Sequence, residues 1–136
     1  MLKVYVSGSF SAAARIRQQA ETLESFGGIK VLSRWYDPEF FLEKAWDSNF
    51  GGDVASVMAR VDLLQVLEAD LVIIDTFTKS STGGLFVELG AALVRSLERK
   101  CKVVHIGPYN NIFEQLADEH YDSWDEFYAN LDWRRK

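Results

Sequence analysis

Leu71-Val72-Ile73-Ile74, followed by Ser80-Ser81-Thr82-Gly83-Gly84-Leu85-Phe86-Val87-Glu88-Leu89-Gly90-Ala91-Ala92, is the stretch that decides the fold of this 136-residue chain. The first run is apolar without alternation, as strands covered on both faces are. The small-residue turn after it opens an apparent helix. In α/β proteins such a turn, between a buried strand and a helix start, is where anionic or sugar-bearing ligands bind. Glu88 stands inside the helical stretch with apolar neighbours on both sides. Either it is a surface glutamate near a helix start, or it faces the ligand and does chemistry.

Outward from this stretch the same alternation repeats. Val4 to Val6 reads as a strand, and Ser7-Gly8-Ser9 as the turn after it. Residues 11–26 read as a helix, with Ala12, Ile16, Ala20 and Leu23 at helical spacing and Gly27-Gly28 as its stop. Residues 29–32 form a second strand candidate. Residues 33–53 hold Trp35, Tyr36, Phe40, Phe41, Trp46 and Phe50 and read as a long aromatic loop, too aromatic for a linker.

A helix over 54–68 follows, with Val57, Val61, Leu64 and Leu67 on one side, then the strand at 71–74 and a helix over 85–99. Residues 102–106 form a fourth strand. The tail holds a helix at 112–116, a short edge strand near His120-Tyr121, and a helix over 123–131 that opens on the capping-box pattern Ser123…Glu126. Strands alternating with helices predict one domain over 1–136, a Rossmann-like three-layer α/β/α fold with a four- to five-stranded parallel sheet. Ligands bind such sheets beyond the carboxyl ends of the strands. That rule gathers Ser7-Gly8-Ser9, Ser33-Arg34-Trp35, residues 75–84 and residues 107–111 on one edge.

Composition narrows the partners. Fifteen Lys and Arg against twenty Asp and Glu leave a formal net charge of −5. The chain lacks the broad basic field of a nucleic-acid polymer binder or an anionic-membrane binder. A small phosphorylated ligand needs only local donors. The single cysteine, Cys101, cannot form an internal disulfide, and a structural role fits it better than a nucleophilic one. His105 and His120 have no partner at metal-ligand spacing, so neither a metal nor another cofactor is expected. No segment has the length and apolar purity of a membrane span, and the first residues enter a strand directly, so a cytoplasmic protein is expected.

Three side chains are candidates for chemistry. A glutamate near a helix start is stabilised in its ionised form, and an ionised carboxylate beside a sugar can attack an anomeric carbon. Asp62, within the 54–68 helix, could divide labour with Glu88 as proton donor, or it is a solvated residue near Arg60. Tyr5 is a strand tyrosine that either fills core or donates to a catalytic carboxylate. Ser7, Gly8 and Ser9, with Ser11 and Arg15, form a polar turn suited to phosphate without matching the dinucleotide or P-loop patterns. Trp35 is a candidate base-stacking residue, in a loop that serves equally as a lid or an oligomer interface.

Taken together, the chain resembles the nucleoside 2-deoxyribosyltransferase family and the related 2′-deoxynucleoside 5′-monophosphate N-hydrolases. The resemblance rests on Val4-Tyr5-Val6-Ser7-Gly8-Ser9, on Asp62-Leu63-Leu64 through Ala69-Asp70-Leu71-Val72, and most specifically on Thr82 through Gly84 to Glu88-Leu89-Gly90-Ala91-Ala92. It implies that Glu88 attacks the anomeric carbon, that Asp62 helps the base leave, and that Tyr5 orients Glu88. Gly8 would let the sugar or phosphate approach the backbone. The transferases carry an Asp six residues before the nucleophile; Thr82 stands there, as a hydroxyl residue does in the monophosphate hydrolases. The resemblance also implies a homodimer or higher homo-oligomer, with Asn110 or Asn111 reaching a neighbouring subunit's site. A nucleotide-binding domain without activity and a glycohydrolase of ribosides are the alternatives.

Overall fold

The computed structural model describes residues 1–37, 54–79 and 84–131, with 54–57 described in backbone only. Among the described residues, five strands form one parallel sheet in the order β2-β1-β3-β4-β5. They are β1 (Leu2–Ser7), β2 (Ile29–Val31), β3 (Leu71–Asp75), β4 (Lys102–Ile106) and β5 (Glu119–Tyr121). The helices between and after them are α1 (Ala13–Ser25), α2 (Val54–Glu68), α3 (Gly84–Leu97) and α4 (Trp124–Ala129). The expected Rossmann-like α/β architecture is therefore present, at the five-strand end of the expected range.

β1 and β3 form the centre, registered Tyr5 to Val72 and Ser7 to Ile74. Every residue of β3 is buried, which accounts for its unbroken apolar run. α1 buries Ala12, Ile16, Ala20 and Leu23 around its start and along its length, as their spacing predicts. It packs with α4, where the Tyr128 hydroxyl donates to Gln19 Oε1 at 2.5 Å and Phe26 stacks on Tyr128. α2 and α3 pack on each other and over β1. Glycine is needed after α1, because Gly27 and Gly28 have φ of 78° and 71°, a region L side chains avoid.

Several boundaries shift from expectation. The first helix is preceded by a 3-10 turn, Phe10–Ala12, and Ile112–Leu116 is also 3-10 rather than α-helical. α3 stops at Leu97, two residues early, before Arg99 enters the left-handed region at φ 60°. The first half of the capping pattern closes as expected at Ser123, whose Oγ accepts from the Glu126 N–H at 3.1 Å; the Glu126 carboxylate reaches one residue further back than in a capping box, to the Asp122 N–H.

α2 differs more deeply. Leu64 and Leu67, which the sequence groups on one side of the helix with Val61, are 58% and 53% exposed, while Val66 is fully buried. The helix carries apolar residues around most of its circumference, so helical periodicity does not select one face. Its actual orientation turns Asp62 inward with Met58 and Leu63. Of the aromatic loop, residues 38–53 lie outside the described residues, as do Thr82 and the tail 132–136.

Candidate active site

Side chains alternate along a strand, so Tyr5 and Ser7 of β1 share one face and Val6 takes the other. That shared face meets α3. The Tyr5 hydroxyl donates to Glu88 Oε1 at 2.8 Å and the Ser7 hydroxyl donates to Oε2 at 2.5 Å. Each carboxylate oxygen thus has its own donor, and the plane of the carboxyl group is set by two residues of one strand. Tyr5 is fully buried, and that burial, with the nearby Glu88 and Asp62 charges, raises its pKa well above the phenol range. The hydroxyl therefore remains a donor at neutral pH.

Glu88 is pulled two ways. Burial raises its pKa, and the bonds from Ser7 and Tyr5 oppose that rise by stabilising the ionised form. Helix polarity, the stabiliser expected from sequence, has little part in this. Glu88 is the fifth residue of α3, beyond the first turn in which the dipole acts.

Asp62 lies across the same cavity, whose volume of about 540 Å³ is lined by Met58, Ala59, Asp62, Leu63, Gly84, Val87 and Glu88. That volume lies within the range of small-molecule sites. Asp62 is not a solvated residue beside Arg60. Its Oδ1 is buried without a hydrogen-bond partner among the described residues, and burial together with the Glu88 charge pushes its pKa up to about 7. The two carboxyl groups are therefore unequal. One is held by two hydroxyls that favour its charge, and the other readily carries a proton near neutrality.

The other expected site residues are placed as follows. Gly84 is the first residue of α3 and lines the cavity. Ser7, expected to meet substrate, has its hydroxyl on Glu88. At Gly8 a Cβ would lie 2.1 Å from Cδ1 of the buried Ile16, so that side-chain end would have to turn aside, while the nearest backbone atom, the Asp75 carbonyl oxygen, is 3.5 Å away. Ser9 Oγ and Ser11 Oγ share a hydrogen bond of 2.9 Å. Trp35 is turned inward, 6% exposed, with its indole N–H on the Val6 carbonyl at 2.7 Å; this is not the placement of an open stacking platform. Beyond β4, the backbone N–H of Asn110 donates to Glu114 Oε2 at 2.6 Å, and Asn111 Oδ1 caps the 3-10 turn through the Phe113 N–H.

Arg15, a phosphate candidate by sequence, is committed elsewhere. Its guanidinium forks onto the buried Asp75 carboxylate at 2.7 and 3.0 Å, and it also reaches Thr78 Oγ1 at 3.3 Å. Asp75 accepts further bonds from Trp124 Nε1 and the Phe77 N–H. This junction joins α1, β3 and α4, and sequence inspection missed it because its members are far apart in the chain. The one available signal was an aspartate ending a fully apolar strand. His105 is buried against Thr76 Oγ1 at 2.8 Å, and burial lowers its pKa. Cys101 donates weakly to the Ala92 carbonyl, and burial raises its pKa.

No protein-family model matches the chain, and no curated protein sequence matches it. A solved structure does. The CMP N-glycosidase BcmB of Clostridium botulinum superposes with a TM-score of 0.58 at 18% identity, over 96% of this chain and 98% of that one. At that identity the likeness is one of fold, and it extends along nearly the whole length of both proteins.

Proposed function

We propose that the protein cleaves the N-glycosidic bond of a nucleoside 5′-monophosphate, with Glu88 as nucleophile and Asp62 as acid and base. The observation that carries this reading is the double hydroxyl grip on Glu88, opening on one cavity with a carboxyl group of raised pKa. In the first step a Glu88 oxygen bonds to C1′ as the C1′–N bond breaks, and Asp62 gives its proton to the departing base. In the second, Asp62 takes a proton from water, the water oxygen bonds to C1′, and the C1′–O bond to Glu88 breaks. Glu88 is regenerated and the configuration at C1′ is retained. A second base in place of water would make the reaction a transfer.

The fold likeness to a CMP N-glycosidase supports this chemistry, and CMP is a ribonucleotide. The ribose reading therefore stands beside the 2′-deoxyribose reading implied by the family resemblance. Incubation with CMP, dCMP, cytidine and deoxycytidine, followed by chromatography of free cytosine, tests the proposal and separates its versions. Release from a monophosphate is expected, with the parent nucleoside at least about tenfold slower. The purine monophosphates complete the panel, and binding without base release from any member would instead favour a nucleotide-binding domain.

The same reading includes a homo-oligomer. Leu64 and Leu67 on α2 and Val94 and Leu97 on α3 are exposed apolar side chains, and Asn110 is exposed beyond β4. Light scattering at micromolar protein is expected to find at least a dimer; a monomer under these conditions counts against it.

A further inference from the structure

β2 ends at Val31, paired with Val4, and Leu32 adds one more bond to the Val4 carbonyl at 2.7 Å. Two residues further along β1, Val6 presents its N–H and C=O to that same side, as alternate strand residues do. The strand that would receive them has ended. Side chains take its place: the Val6 N–H donates to Ser33 Oγ at 3.2 Å, and the Trp35 indole N–H donates to the Val6 carbonyl at 2.7 Å. Ser33 is fully buried and Trp35 nearly so, so neither backbone group has water as a substitute. The Ser33 hydroxyl continues to Tyr36 Oη at 3.3 Å.

Val6 is the residue between the two that grip Glu88. On its other side, β3 pairs with β1 through Ser7. Ser7 is also the last residue of β1, where a strand secured along one edge alone is free to twist. A hydroxyl-to-carboxylate bond weakens steeply with small changes of distance and angle. We infer that Ser33 and Trp35 are positioning residues, which hold the end of β1 through Val6 so that the Tyr5 and Ser7 hydroxyls meet the two oxygens of Glu88 together. The consequence for catalysis rests on the reading of Glu88 as nucleophile; the consequence for its carboxyl group does not.

Trp35→Phe keeps an aromatic ring and deletes the N–H, and Ser33→Ala deletes the other clamp. Both are made in the full chain and followed by 13C NMR titration of the Glu88 carboxyl, with thermal unfolding to establish folding. Loosened hydroxyls favour the ionised form less, so the Glu88 midpoint is expected to rise in each variant. The kcat of base release is expected to fall about tenfold, with KM unchanged within about twofold. A stacking role for Trp35 would instead move KM and leave the Glu88 midpoint in place. A midpoint equal to wild type in the folded variants overturns the inference, and Ser33→Ala alone decides it if Trp35→Phe does not fold. Absence of base release by wild type would overturn the proposed function, while the titration would still decide this point.

Discussion

Glu88→Gln is expected to lower base release by at least about 10³-fold while leaving a folded protein that still binds nucleotide. The amide has nearly the shape of the carboxyl group, and its oxygen can still accept from the Tyr5 hydroxyl 2.8 Å away in the parent protein. What it loses is charge and nucleophilicity. Two measurements check this. Rapid quench of the wild type with substrate, followed by mass spectrometry, should find the 5-phosphopentosyl group, joined through C1′, on the peptide containing Glu88. Calorimetry should give Glu88→Gln a nucleotide Kd close to that of wild type. A variant that releases base at the full rate would remove Glu88 from the mechanism, and unaltered chemistry with no adduct would replace attack at C1′ by electrostatic stabilisation.

Asp62→Asn carries the second large effect, and it has opposite signs in activity and stability. On the proposed mechanism the change removes the proton donor and is expected to lower base release by about 10²–10³-fold. In the wild type the proposed mechanism has activity fall as pH rises through about 7, because Asp62 then loses the proton that this mechanism assigns it to donate. Stability follows the same titration. The carboxyl has an ordinary pKa of 3.8 and is pushed up to about 7 in the folded protein. Between those values the folded state keeps a proton that the unfolded state has released, so stability declines as pH rises through that window. Asparagine removes the ionisation. The variant is therefore expected to be more stable than wild type near pH 8, by about 1–2 kcal/mol after discounting for partial exposure, and close to it below roughly pH 4. Chemical denaturation at the two pH values measures the difference. Equal stability at both would mean that Asp62 is not held against its own charge.

Much of this was legible because strand chemistry is local. The apolar run at Leu71 announces a central strand, and two-residue alternation places Tyr5 and Ser7 on one face whatever the rest of the chain does. Glu88 was visible through its position after a glycine turn. Its tie to Ser7 spans 81 residues and belongs to tertiary packing. The facing of α2 was illegible for a different reason: a helix apolar on most sides permits several rotations, and tertiary contact with α3 and β1 chooses one. Trp35 shows a third limit. Its aromatic ring suggests stacking, but its polar edge determines its place, and the partner is a backbone carbonyl that no side-chain pattern records. The Arg15–Asp75–Trp124 junction was illegible because its members come from three separate elements, and of them only Arg15 stood out in the sequence, as part of a turn suited to phosphate.

The alternation in β1 has an evolutionary consequence. Tyr5 and Ser7 owe their common direction to the single residue between them. A one-residue insertion or deletion before Tyr5 that left the strand register in place would present different side chains to Glu88 and remove both donors in one event. Point substitutions can weaken the grip one hydroxyl at a time, so drift in this site proceeds by exchange of side chains. Change in strand length there is an all-or-none loss.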